Sequence, residues 1–265
     1  VAVLLTLNHV NSAPNVTITA AVQALSSTSL KVAWKTLSSE NETITGYTVC
    51  FQTNYTVNCL QNKTVYGSAV NMTVLNGLNE YTLYYVSVKA FSETGDYGIL
   101  GPVINGRTDE DKPSKGPNIT SIFNLTATSM KITWGKLRLD DANGNITKYE
   151  ICYKASVNAK DIDCYLNKSV NNGHTREVDL DGLNEATTYN VAVKAATSQG
   201  FGNLGKITMQ KTLEDRPAKG PNITKIATNS TAIKISWEKL DADDSNGFIT
   251  KYEVCYQRGS TNPNC

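Results

Sequence analysis

Apolar residues recur at every second position along much of this chain. Leu30-Lys-Val-Ala-Trp34, Met130-Lys-Ile-Thr-Trp134 and Ile233-Lys-Ile-Ser-Trp237 alternate apolar with small or polar side chains. Tyr149, Ile151 and Tyr153 do the same in the segment that follows, and Val191, Val193 and Ala195 do so later. Successive side chains of a strand point to opposite faces, so alternation over about five to seven residues predicts strands with one buried face. Asn-Gly, Asp-Gly and other glycine-rich breaks separate these runs at intervals that suit antiparallel sandwiches. No stretch keeps apolar residues at helical spacing for three turns. The pattern predicts an all-β chain.

The pattern also repeats. Arg107-Thr-Asp-Glu-Asp-Lys-Pro-Ser-Lys-Gly-Pro-Asn-Ile-Thr120 returns as Lys211-Thr-Leu-Glu-Asp-Arg-Pro-Ala-Lys-Gly-Pro-Asn-Ile-Thr224. Asn143-Gly-Asn-Ile-Thr-Lys-Tyr-Glu-Ile-Cys-Tyr153 returns as Asn246-Gly-Phe-Ile-Thr-Lys-Tyr-Glu-Val-Cys-Tyr256, and Thr43-Ile-Thr-Gly-Tyr-Thr-Val-Cys-Phe51 is a more diverged first copy. Trp34, Trp134 and Trp237 mark the three copies at intervals of 100 and 103 residues. Those periods are too long for a solenoid unit that needs neighbours to bury its core, so each copy is read as a domain. The expected divisions are 14–110, 111–214 and 215–265. The third copy, from Pro217 to Cys265, carries only the first three strands and the start of a fourth. A half sandwich exposes unpaired edges, which predicts that the natural protein continues past Cys265. The apolar start, Val1-Ala-Val-Leu-Leu-Thr-Leu7, is too short to span a bilayer. Residues 1–13 are read as the remnant of a signal peptide, the alternative being a piece of an upstream domain.

Composition narrows the role. Lys and Arg number 25 against 24 Asp and Glu, a net charge of +1. That balance offers no surplus of cations for phosphates, and argues against a nucleic-acid or anionic-lipid partner. Six cysteines fall as one close pair per copy, Cys50/Cys59, Cys152/Cys164 and Cys255/Cys265. There is no CxxC, and neither His9 nor His174 lies near a cysteine cluster, so disulfides in an oxidising compartment are a better reading than zinc. Asn-x-Ser/Thr sequons begin at Asn15, Asn41, Asn54, Asn62, Asn71, Asn118, Asn124, Asn145, Asn167, Asn222 and Asn229, eleven of the 27 asparagines. The chain's Ser and Thr content would give about five by chance, so the excess points to a glycosylated product of the secretory pathway.

Each copy resembles a fibronectin type III module. A Pro stands near the first strand, Trp on the second, and Tyr-x-hydrophobic-x-aromatic on the third. Leu78-Asn-Glu-Tyr-Thr-Leu-Tyr84 and Leu183-Asn-Glu-Ala-Thr-Thr-Tyr189 are similar to the family's Leu-x-Pro-x-Thr-x-Tyr segment, with Glu80 and Glu185 in place of its Pro. The resemblance implies tandem immunoglobulin-like β-sandwiches, the third truncated, with core tryptophans Trp34, Trp134 and Trp237. It also implies tyrosine corners at Tyr84 and Tyr189, each phenol bonded back to nearby backbone. Val86 and Val191 stand where an immunoglobulin domain would carry cysteine.

If Tyr149, Ile151 and Tyr153 face the core, Cys152 points to the outer face of its sheet, with Cys164 on the returning fourth strand. The expected bridges are Cys50–Cys59, Cys152–Cys164 and Cys255–Cys265, clips that ordinary modules of the family do not need. Three residues past the second Cys, both complete copies carry a sequon, at Asn62 and Asn167, which places a glycan beside the clipped hairpin. The acidic loops at 139–144 and 241–247 lack the Gly and Glu of an EF-hand and are read as turns without metal. Ser92-Glu-Thr-Gly-Asp-Tyr-Gly98 has Thr94 where an Arg-Gly-Asp integrin motif needs Arg, and Asn105-Gly-Arg107 is read as a turn. No catalytic constellation, cofactor motif or metal site is expected. With Pro113/Pro117 and Pro217/Pro221 in the short linkers, the array is expected to be an extended rod.

The function implied is a non-catalytic binding and spacing role in a cell-surface receptor or adhesion ectodomain, with a protein ligand or a neighbouring surface or matrix protein as partner. Any membrane anchor would lie in sequence outside this chain. A secreted matrix protein, and accessory modules of a secreted multidomain enzyme, remain as alternatives.

Overall fold

A computed structural model describes residues 16–37, 44–93, 97–158, 160 and 162–259. Expectations that fall on residues 1–13, Asn15, Asn41, Thr94 or Cys265 lie outside the described residues. In the first copy the alternating runs form β1 (Thr17–Ser26), β2 (Ser29–Leu37), β3 (Ile44–Gln52), β4 (Asn62–Tyr66), β5 (Met72–Asn76), β6 (Leu83–Ser92) and β7 (Ile104–Arg107). They make two antiparallel sheets, ordered β1-β2-β5 and β4-β3-β6-β7. The register sets Val22 opposite Val32 and Val49 opposite Val88, so the apolar member of each alternation turns inward on both sheets. Ile18, Leu30, Val32 and Trp34 from one sheet meet Tyr47, Val49, Val86 and Val88 from the other, none more than 3% exposed. Burying side chains of this size contributes roughly 1.5–3 kcal/mol each. Asn105-Gly-Arg107, expected as a turn at the end of the last strand, does lie at that strand's end but within β7 itself, with Asn105 paired to Tyr85. The pull of the β6 ladder outweighs the local turn chemistry of Asn-Gly.

The second copy repeats the plan with β8 (Ile119–Thr126), β9 (Ser129–Trp134), α1 (Leu139–Ala142), β10 (Lys148–Ala155), β11 (Leu166–Val170), β12 (Glu177–Leu180), β13 (Thr188–Thr197), β14 (Gly200–Leu204) and β15 (Thr208–Lys211). Its sheets run β12-β9-β8 and β11-β10-β13-β14, and β15 also pairs with β13. The seventh strand is therefore in two pieces. The break falls at Gly205, whose N–H bonds the Val193 carbonyl at 2.8 Å while its Cα passes so close to the Pro117 carbonyl that a Cβ would overlap it. The sequence pattern did not anticipate α1. It is one helical turn in the acidic loop, stopped by Asn143 in the left-handed conformation at φ 50°.

In the third copy β16 (Ile223–Thr228) and β17 (Ile233–Trp237) form a two-stranded ladder, followed by the single turn α2 (Ala242–Ser245) and a left-handed Asn246. The expected third strand does not form, and residues 249–257 have no strand. In the complete copies that segment is held between two neighbours, β4 and β6 or β11 and β13, which have no counterpart among the described residues here. The ring contact survives without the ladder, with Trp237 and Tyr252 centroids 5.3 Å apart. Ile223, Ile226 and Ile233 stay exposed, because a hairpin alone has no second layer to cover them.

Candidate functional site

The chemistry of each sandwich begins with its aromatic pair. Trp34 and Tyr47 rings lie 5.2 Å apart, as do Trp134 and Tyr149, both pairs tilted. The Tyr47 hydroxyl donates to the Ser68 carbonyl at 3.3 Å and the Tyr149 hydroxyl to the Gly173 carbonyl at 3.2 Å. Burial pushes the Tyr149 phenol above its ordinary pKa, with the Arg176 guanidinium opposing that rise. At the other end of the core, the Tyr84 hydroxyl oxygen accepts the Asn79 N–H at 3.0 Å, and that of Tyr189 accepts the Asn184 N–H at 2.9 Å. Each phenol sits five residues from the N–H it satisfies and pins the turn that enters β6 or β13.

The cysteines are bonded as Cys50–Cys59 and Cys152–Cys164, with Cα atoms 4.6 and 4.5 Å apart. The third expected bridge involves Cys265, outside the described residues. The geometry differs from a cross-strand bridge. Directly across the ladder from Cys50 is Asn62, and from Cys152 is Asn167. The second cysteine of each pair sits three residues earlier, off the ladder, curled back by positive φ angles of 59° at Cys59 and 55° at Cys164. Asn62 Nδ2 donates to the Cys59 carbonyl at 2.9 Å, and Asn167 Nδ2 to the Cys164 carbonyl at 3.2 Å.

The outer face is not open at the first cysteine. Cys50 and Cys152 are both fully buried, because the loop after the strand folds over the sheet. In the second copy Ser156 N–H reaches the Thr188 carbonyl at 3.0 Å, and Asn190 Nδ2 reaches the Asn158 carbonyl at 2.5 Å. The clip fastens that loop down.

The recurring linker and the recurring acidic loop explain each other. Asp111 N–H bonds the Asn143 carbonyl at 2.8 Å, Ser114 N–H bonds the Asp141 carbonyl at 2.9 Å, and Asn143 Nδ2 bonds the Lys112 carbonyl at 3.0 Å. The third copy repeats all three at 2.9 Å, with Asp215 to Asn246, Ala218 to Asp244, and Asn246 to Arg216. The left-handed asparagine thus ties the linker to the loop through its carbonyl and its side-chain amide. Glu110 completes the strap by accepting from Ser198 Oγ at 2.6 Å and from the Asn145 N–H at 2.8 Å. Burial would raise the Glu110 pKa, and these hydrogen bonds more than reverse that, holding it below 4.5.

Two devices escaped the sequence reading. Lys63 on β4 reaches the Val74 carbonyl of β5 at 2.7 Å, and Lys168 on β11 reaches the Asp179 carbonyl of β12 at 2.5 Å. Each closes the side of its sandwich from one sheet to the other, and the signal for it in the sequence is the lysine repeated inside Asn62-Lys-Thr64 and Asn167-Lys-Ser169. The first copy carries an outer-face aromatic cluster, with Phe91 5.6 Å from both Tyr66 and Tyr97 and Lys89 Nζ 4.2 Å from the Tyr97 ring. Gly46 makes room for it, since a Cβ there would overlap the Phe91 ring.

Among the described sequons, Asn54, Asn62, Asn71, Asn118, Asn145, Asn167, Asn222 and Asn229 are exposed. Asn124 is half-buried, with Nδ2 committed to the Lys211 carbonyl at 2.9 Å. Among the described residues, one group has metal-ligand proximity, Glu150 with Cys152 and Cys164. Both sulfurs are bonded to each other and Glu150 pairs with Lys194 at 2.7 Å, so that set has no thiolate to offer. His174 lies exposed in the turn after β11. No helix among the described residues is long and apolar enough to cross a membrane.

Antiparallel sheets of three and four strands, a core tryptophan and a tyrosine corner together define a tandem of β-sandwich modules. The sequence profile of the fibronectin type III domain matches residues 12–104 and 111–210, and the chain belongs to that family. It is 31% identical over 75% of its length to "Receptor-type tyrosine-protein phosphatase F" of Bos taurus, and 28% identical over 91% of its length to "Cell adhesion molecule DSCAML1" of Mus musculus. It spans about a tenth of each of those proteins, 10% and 12%. Among solved structures, the crystal structure of chicken CNTN1 FN1-FN3 domains shares the fold at a TM-score of 0.52 and 18% identity, over 87% of this chain and 77% of that one.

Proposed function

We propose that the chain is part of a cell-surface receptor or adhesion ectodomain, and that its modules bind a protein partner and catalyse nothing themselves. The observation that carries this reading is the disulfide clip closed inside each complete sandwich, which requires an oxidising compartment. The relatives, a receptor-type phosphatase and a cell adhesion molecule, support the surface setting. N-linked glycans at the exposed sequons belong to the same reading, and the partner is a protein on a neighbouring surface. The test is adhesion. Beads coated with the secreted chain are offered to cells and to decellularised matrix. The expected result is saturable binding to cells, abolished by protease treatment of the cell surface or by reduction of the chain. Retention on matrix alone would replace this reading with a matrix role, and no retention on either would overturn it.

A further inference from the structure

The outermost strands β4 and β11 carry an unresolved conflict if the polypeptide is considered alone. Each ends its sheet, paired on one side only, with β3 or β10. A strand in that position presents a row of free backbone groups to any second strand. The usual deterrents are weak here. Leu60 and Tyr66 flank the middle of the first edge at 83% and 78% exposed, and Tyr165 and Leu166 adjoin the second at 88% and 46%. Neither strand contains a proline or a bulge, and its one lysine is turned away from the edge. Lys63 lies opposite core residue Val49 and Lys168 opposite core residue Ile151, and both ammonium groups are spent on carbonyls of the facing sheet. An exposed edge of this kind, with large apolar side chains at its ends, is a site for strand pairing between copies unless something covers it.

At the same register position on both edges stands the asparagine of a sequon. Asn62 and Asn167 pair with the outward-facing Cys50 and Cys152, so they too project to the outer face, and both are exposed. The backbone carbonyl of the clip cysteine holds one amide proton of each, which orients the side chain while leaving the second amide proton available. We propose that Asn62 and Asn167 carry N-linked glycans that cap the β4 and β11 edges and keep the chain from associating through them. Transfer from a lipid-diphosphate-linked oligosaccharide forms the bond from Nδ2 to the sugar C1. The bond from C1 to the diphosphate oxygen breaks, the lipid diphosphate leaves with its electron pair, and Nδ2 gives up one proton to the transferring enzyme's base. The remaining N–H still reaches the cysteine carbonyl. The inference rests on the reading that the chain passes through the secretory pathway.

The test uses the whole chain secreted from cultured animal cells. Glycopeptide mass spectrometry is expected to find sugar on both Asn62 and Asn167, and light scattering to find a monomer. Loss of the sequons by Asn62→Gln with Asn167→Gln, or by Thr64→Ala with Ser169→Ala, which leaves both asparagines in place, is expected to strengthen self-association by about tenfold or more. Thr64→Ser keeps the sequon and is expected to stay monomeric. Trimming the glycans of the folded wild type to a single sugar with an endoglycosidase gives the same readout without any substitution. Adding Tyr66→Lys and Tyr165→Lys to the sequon-less chain is expected to restore the monomer, which locates the contact on these edges. Either site found unmodified, or a trimmed chain that stays monomeric, overturns the proposal. If Asn54 and Asn118 carry sugar while Asn62 and Asn167 do not, only this inference falls. If no sequon is modified and Cys50 and Cys59 are free thiols, the extracellular reading falls with it.

Discussion

The hydroxyl of Tyr189 does work that its ring does not. The ring lies in the core at 5% exposed, while the oxygen accepts the Asn184 N–H at the turn into β13. Tyr189→Phe keeps the packing and orphans that N–H, so the second sandwich should lose about 1–2 kcal/mol in urea unfolding, and Tyr84→Phe should do the same to the first. A larger loss for the first site alone would mean the two corners are not equivalent. Glu110 gives a different signature. Its folded pKa lies below the ordinary 4.5, so its stabilising contribution is present above the unfolded pKa and is lost as pH falls through the folded one. Thermal unfolding followed from pH 7 to about pH 3 should show a drop at the acid end that Glu110→Gln lacks. Both corner tyrosines were legible from the Leu…Tyr spacing. Glu110 was visible only as part of a repeated linker, because its partners Asn145 and Ser198 are distant in sequence.

At the scale of elements, the clip and the aromatic cluster are the parts that separate these modules from a bare sandwich. Cys152 and Cys164 are 12 residues apart, and opening that loop should cost roughly 3 kcal/mol on chain-entropy grounds. The double replacement Cys152→Ala with Cys164→Ala should therefore lower the unfolding midpoint of the second sandwich without changing its strand content by circular dichroism. Gly46→Ala should destabilise the first sandwich by about 1–3 kcal/mol through overlap with the Phe91 ring and the Val65 carbonyl, and by less in a Phe91→Ala background, which relieves only the first. A full penalty in both backgrounds would place the clash at the Val65 carbonyl alone.

The strands themselves followed from the period-two runs around Trp34, Trp134 and Trp237. What the runs did not show was how the loop after β3 or β10 folds back over its own sheet. That fold depends on a cysteine held at positive φ, a conformation that composition and periodicity do not signal. The one-turn helices α1 and α2 were missed for a related reason. Their residues favour turns by propensity, and it is the strap's backbone bonds to Asn143 and Asn246 that stabilise a helical turn instead.

For the whole molecule, repetition made the tandem of β-sandwiches legible in the sequence, and the family follows from the same residues. The third copy shows the limit of that logic. Lys251 to Tyr256 carry the strand pattern of the complete copies, yet no strand forms, since a ladder needs a partner that pattern alone does not supply. Partner identity is likewise a property of exposed surface, where Tyr66 and Tyr97 of the first copy differ from their counterparts in the second. Replacing Phe91 and Tyr97 by Ala should weaken bead adhesion to cells if the first copy's outer face takes part, while leaving the second sandwich's stability untouched.

Each complete module locks itself, in an oxidising compartment, by its own short bridge. Digestion of the secreted chain without reductant, with free thiols trapped beforehand, measures this directly. It should yield one peptide pair joined through Cys50 and Cys59 and another through Cys152 and Cys164. A trapped thiol at Cys152, or a bridge running from one module's cysteine to another's, would contradict it.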